Sequence, residues 1–169
     1  MAHSQATTDG DATAAGAEPP ARAATDGQLL TSVLIYDLGT VLRRRLDATL
    51  AEAGTGLRTR HFAVLATLGC MEPLSQRAAA EEADIDPATM VKTVDDLERL
   101  GLVTRARNPR DRRAHELTLT DQGRDVLRRT ELLLEGIERE VFAPLGDEGH
   151  ARLRAWLLDL LARHGRAGC

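Results

Sequence analysis

Five arginines stand between Leu102 and His115, at positions 105, 107, 110, 112 and 113, against a single acid, Asp111. That is a local excess of four positive charges on a chain whose formal net charge is −4. A compact basic segment on an acidic protein is an electrostatic footprint for a polyanion. Guanidinium groups suit a narrow minor groove, where negative potential is concentrated. Just upstream, Pro87-Ala88-Thr89-Met90-Val91-Lys92 has the side chains that read base edges. Ala88 and Val91 fit a thymine methyl, Thr89 hydrogen-bonds a base or phosphate, and Lys92 reaches a phosphate or guanine. The chemistry these residues point to is recognition of double-stranded DNA, not bond making.

Such residues need a helix and a hairpin to hold them. Asp86 is suited to cap a helix that begins with Pro87, whose missing N–H costs nothing there. Met90, Val94 and Leu97 recur at i, i+4 and i+7 and predict the buried face. Pro87, Ala88, Thr89, Val91, Lys92, Asp95 and Asp96 are left outward. Gly101 stands where a left-handed residue ends a helix. Residues 102–107 and 114–119 alternate as paired strands, and Asn108-Pro109-Arg110-Asp111 is a turn cluster between them. The competing reading of the helix is an ordinary amphipathic surface helix, with Asp95, Asp96 and Glu98 as solvated charges or as selectors against wrong DNA.

The run from Ile85 to Gly123, with Asp111-Arg112-Arg113 followed by Leu117-Thr118-Leu119-Thr120, resembles the winged helix-turn-helix of the MarR (multiple antibiotic resistance regulator) family. The D-R-R segment and the L-T-x-x-G that follows carry the likeness, which extends with less specific motifs over residues 28–165. The resemblance implies a recognition helix at 86–96 and a wing at 108–113. Arg110 and Arg112 would then reach the groove, and Asp111 and Arg113 would pair to shape the wing base. It implies DNA contacts by Ser75, Gln76, Pro87, Ala88, Thr89, Val91, Lys92, Arg110, Arg112 and Arg113. It also implies a small aromatic or phenolic effector between the dimer helices and the DNA-binding lobe. Tyr36, Arg43, Arg60 and His61, with Phe62, are the candidates to line that site. The competing reading makes Tyr36 and His61 core residues and Arg43 a solvated one. Asp96 departs from the family pattern, where a base is frequent, and shifts phosphate contact toward the wing.

The rest of the chain is consistent with a mostly α protein carrying a small β-wing. Hydrophobic residues make up 43% and aromatics 2% of the 169 residues, so the core must be leucine, valine and alanine, which favours helices. Residues 1–27 lack hydrophobic periodicity and read as a disordered tail. Residues 28–56 and 120–165 read as a helical dimerisation region, and 57–119 as the winged helix-turn-helix. Helices are predicted from Gln28 to Glu52, Thr59 to Leu68, Ser75 to Glu82, Thr120 to Val141 and Asp147 to His164. The leucine-rich first, fifth and last helices call for a partner surface, and a two-fold homodimer on a pseudo-palindrome is the natural solution.

No apolar run approaches the ~18–20 residues that cross a bilayer, and no signal peptide is evident, so a cytoplasmic location is expected. The five histidines show no metal-ligand spacing, and no nucleophile or phosphate-loop motif is present. Neither an enzyme nor a cofactor is therefore expected. Of the two cysteines, Cys70 and Cys169, a structural disulfide is not expected in that compartment, which leaves redox sensing by Cys70 as an alternative. A winged helix serving only a protein partner is the other alternative; the wing arginines argue against it.

Overall fold

Three short polar residues start three helices. In the computed structural model, which describes residues 30–107 and 115–165, Ser75 Oγ accepts from the Ala78 N–H at 3.1 Å. Asp86 Oδ1 accepts from Thr89 at 2.9 Å, and Thr120 Oγ1 from Gly123 at 2.9 Å. Each satisfies an amide that has no partner within its own helix. The helices they start are α3 (Gln76–Glu82), α4 (Pro87–Arg99) and α5 (Asp121–Phe142). Before them come α1 (Thr31–Glu52) and α2 (Thr59–Met71). After α5, a 3₁₀ turn at Ala143–Leu145 leads into α6 (Gly146–Arg163).

The helices also end by rule. α4 closes with Gly101 at φ 70°, its N–H on the Glu98 carbonyl and the Leu102 N–H on the Leu97 carbonyl, both at 2.9 Å. This is the Schellman arrangement. α1 ends in the same way at Gly54, and α3 at Asp84, which takes φ 52° without being glycine. Aspartate is among the few residues that tolerate that region. Its turn sets the angle between α3 and α4.

Three strands form one antiparallel sheet in the order β1-β3-β2: Leu74–Ser75, His115–Leu119 and Val103–Arg107. The hairpin register runs from Val103 opposite Leu119 to Arg107 opposite His115. The two-residue β1 was not anticipated, because it exists only through pairing with Leu117 and Glu116. Elsewhere the predicted helices hold with small shifts, α2 running three residues further to Met71.

One core binds these parts. Leu50, Val64, Leu65, Leu68, Met90, Val94, Leu97 and Leu117 have no exposed surface, and Leu102, Val103 and Leu127 pack around them. The predicted stripe of α1 divides. Leu46 and Leu50 are buried, but Leu30, Val33, Leu34, Leu38 and Val41 lie exposed on the N-terminal half. α6 has no buried residue.

Candidate nucleic-acid interface

The face of α4 turned from the core presents Pro87, Ala88, Val91 and Lys92, all exposed. Beneath them Met90, Thr93, Val94 and Leu97 anchor the helix. Thr93 was not read as inward from sequence. Its hydroxyl is satisfied by donating to the Thr89 carbonyl at 2.8 Å, which lets a polar residue sit in the core. Thr89 itself is half-buried, not fully outward. Hydrogen bonds from Thr89 hold the Asp86 carboxyl below its ordinary range, so the cap stays ionised. Between α3 and α4 lies an open groove of about 1010 Å³ whose walls include Gln76, Pro87 and Val91. Three of the residues expected at DNA thus share one surface. Ser75 stands beside them, its oxygen engaged as the α3 cap.

The hairpin is fastened to α4 by an ion pair that the sequence reading missed. Arg105 lies 2.7 Å from Asp95 Oδ1 and 3.0 Å from Glu98 Oε2. Asp95 and Glu98 are therefore not simply solvated charges or selectors. Their i, i+3 spacing puts both on the helix side that faces β2. Arg105 is also removed from the set of arginines free for DNA. Arg110, Arg112 and Arg113 fall outside the described residues. Replacing Arg105 by glutamine is expected to lower stability by roughly 1 kcal/mol, since the carboxylates it pairs with are partly exposed and screened by solvent. It should leave the salt dependence of DNA binding untouched, whereas a phosphate contact would carry a slope of about one. Denaturant melts and salt-titrated anisotropy read the two effects separately.

Of the four expected effector residues, Tyr36 stands exposed while Arg43, Arg60 and His61 are engaged by neighbouring groups. Tyr36 is 74% exposed on α1. Arg43 is paired with Asp47 at 3.6 Å, and Asp47 in turn accepts from the Thr59 amide at 2.7 Å. Arg60 is 3.7 Å from Asp96 Oδ2. His61 is buried, with Nδ1 accepting from the Arg58 amide at 2.9 Å and Nε2 3.4 Å from Asp96 Oδ2. This places the neutral ring's proton on Nε2. Asp96, read as outward, is instead half-buried and tied to Arg99, Arg60 and His61. Its carboxyl is held low, foremost by the Arg99 hydrogen bond. Together these contacts stitch α2 to α4.

Burial, then the Arg60 charge, pushes the His61 pKa below its ordinary 6.5, and the Asp96 hydrogen bond only partly opposes this. The sign follows. Below pH ~6.5 the unfolded chain takes up a proton more readily than the folded one. The His61 contribution is therefore complete above that pH and is lost as pH falls toward the folded value. Stability measured from pH 7.5 to 5 should fall more steeply for the wild type than for His61→Asn, whose amide oxygen can still accept from Arg58. Parallel curves would contradict this.

Cys70, at the exposed end of α2, is disulfide-bonded, which corrects the expectation of an unpaired thiol. No group of three metal-ligating side chains occurs among the described residues. No described helix is long and apolar enough to cross a membrane.

A short α3 and an exposed α4 joined by a tight turn, followed by a hairpin pinned to α4, define a winged helix-turn-helix protein. The family profile described as "MarR family" matches residues 55–114. The putative transcriptional regulatory protein for the hcr operon of Thauera aromatica is 30% identical over 142 residues, covering 80% of this chain and 83% of the relative. The HTH-type transcriptional repressor Rv2887 of Mycobacterium tuberculosis is 31% identical over 112 residues, covering 66% and 79%. The chain belongs to the MarR family. Among solved structures, Rv2887 in complex with DNA superposes with a TM-score of 0.66 at 27% identity, over 78% of this chain and 98% of that one. Rv2887 in complex with salicylic acid gives 0.66 at 28%, over 78% and 96%. Apo MarR of E. coli, at 22% identity, shares the fold with a TM-score of 0.71 over 79% and 98%.

Proposed function

We propose that this protein is a homodimeric transcriptional repressor that binds a pseudo-palindromic operator and is released by a small aromatic or phenolic acid. The observation that carries the reading is the outer face of α4. Pro87, Ala88, Val91 and Lys92 stand exposed, their side chains without a hydrogen bond or ion pair among the described residues. The hairpin pinned beside them leads to Arg110, Arg112 and Arg113. α4 enters the major groove and the arginine tip the adjacent minor groove. Residues 57–119 act as the DNA-binding unit, and 28–56 with 120–165 as the dimerisation unit.

The dimer follows from unpaired apolar surface. Leu30 is 71% exposed, Leu132 65% and Trp156 60%. Exposed large apolar side chains on α1, α5 and α6 suit burial against another copy. A second copy covers them and sets two α4 helices about one DNA turn apart. The DNA and salicylate complexes of Rv2887 support both partners by analogy.

Fluorescence anisotropy on the protein's own upstream DNA, against non-specific duplex and across salt, tests the reading. A specific affinity ~10³-fold or more above non-specific, with a steep salt slope, is expected. Equal weak binding to both duplexes would remove the operator. Sedimentation at decreasing concentration tests the dimer.

The disulfide at Cys70 favours a second reading, in which oxidation sets operator affinity, since disulfides in reducing compartments are usually redox-sensing. Operator affinity that responds to peroxide in the wild type but not in Cys70→Ser would establish it. An identical response in both proteins would dismiss it.

A further inference from the structure

His61, on the first turn of α2, is almost wholly buried and faces two polar groups on different elements. Its Nδ1 accepts from the Arg58 amide at 2.9 Å, and its Nε2 lies 3.4 Å from Asp96 Oδ2 on α4. The first contact is half of a capping box, in which the third residue of a helix reaches back to the amide of its capping residue. Glutamate or glutamine usually fills that place and accepts throughout the neutral range. Histidine accepts there only while its ring is neutral. Thr59, next to Arg58, is tied in another direction. Its amide and hydroxyl both donate to Asp47 Oδ1 on α1, at 2.7 and 2.9 Å. The first turn of α2 thus joins α1 to α4. The charged groups around the ring come from all three helices. They are Arg58 and Arg60 at the start of α2, Asp96 with its partner Arg99 on α4, and Asp47 with its partner Arg43 on α1.

We propose that His61 is a proton-sensitive joint between α1 and α4, and that its protonation weakens operator binding. The charged ring carries a proton on Nδ1, which then meets the Arg58 N–H donor to donor. That amide loses its acceptor. The ring is drawn instead toward Asp96, for which Arg60 and Arg99 already compete. A proton therefore favours forms in which the turn at 58–61 has opened and α4 is no longer held to α1 in its present setting. The depressed pKa of His61, caused first by burial, is the same preference expressed by the folded state. The direction is informative, because acid makes the protein less negative and on charge alone would strengthen binding to DNA. This inference rests on the operator-binding reading above.

Anisotropy of the full-length protein on its own upstream DNA, from pH 7.5 to 5 at fixed ionic strength, tests it. Thermal melts at each pH establish that the protein is folded. Wild-type affinity should fall by about 5-fold or more with acid, the lower end of ordinary coupling between two sites. His61→Asn should hold its affinity within about twofold across the range, since an amide does not titrate. A merely structural His61 would, when replaced, lower affinity alike at every pH and leave the acid response in place. Arg60→Gln, at a side chain 40% exposed, removes a charge that opposes protonation. It should move the fall toward neutral pH, and it decides the matter if His61→Asn does not fold. Wild-type affinity that stays flat or rises with acid would overturn the inference. So would a fall that persists in His61→Asn, or one that Arg60→Gln leaves unmoved. Absence of specific binding at pH 7.5 would instead remove the operator reading, and this inference with it.

Discussion

Alanine at position 123 is expected to destabilise the protein by about 3 kcal/mol, the upper end of the usual range for overpacking, because the neighbour is backbone. A Cβ built on Gly123 would lie 2.0 Å from the Leu102 carbonyl oxygen and 3.0 Å from its carbon. Both atoms are backbone, so no rotamer change relieves the overlap. The neighbouring contacts allow little movement. Thr120 Oγ1 donates to the Gly101 carbonyl at 2.7 Å and accepts from the Gly123 amide at 2.9 Å. Leu119, one residue before, donates its amide to Glu72 Oε2 at 2.6 Å. Shifting α5 by the width of a methyl group would break this set together. Gly136, on the same helix with nothing within 4 Å of its built Cβ, is the internal control. Alanine there should be neutral or add up to ~1 kcal/mol through helix propensity. Chemical denaturation of both variants checks the contrast. A Gly123→Ala protein as stable as the wild type would refute the close approach of α5 to Leu102.

Replacing Arg110 and Arg112 together by alanine should lower operator affinity by roughly 100-fold, at about 1–3 kcal/mol for each groove contact. The salt slope should fall by about two if both neutralise phosphate charge. The structure adds a reason why the loss should be specific to the tip. β2 and β3 remain paired up to Arg107 opposite His115, and β2 is held to α4 through Arg105, Asp95 and Glu98. The described strands are thus held to α4 without any contribution from Arg110 or Arg112. The double variant should therefore keep its fold and its melting temperature. Anisotropy across salt with a parallel melt measures both, and an affinity within twofold of wild type would sink the wing role.

What could be read from the chain alone was local. Asp86-Pro87 starts α4, Gly101 ends it, and Thr120 with Gly123 starts α5, because caps and left-handed turns are decided by residues within one turn of each other. The apolar spacing of Met90, Val94 and Leu97 identified the buried face of α4, and strand alternation placed the hairpin. The family likeness, and with it the outward residues of the candidate interface, followed from this same local order. Tertiary structure decided what depends on elements distant in sequence. Strand β1 is two residues with no signal of their own, made a strand by β3. Asp95, Asp96 and Glu98 looked solvated because their partners, Arg105 on the next element and His61 and Arg60 on an earlier one, are brought near only by packing. His61 reads as a possible ligand until its two nitrogens are seen to be engaged by Arg58 and Asp96. Side-chain type is written in the sequence; which charge meets which is a property of the assembled core.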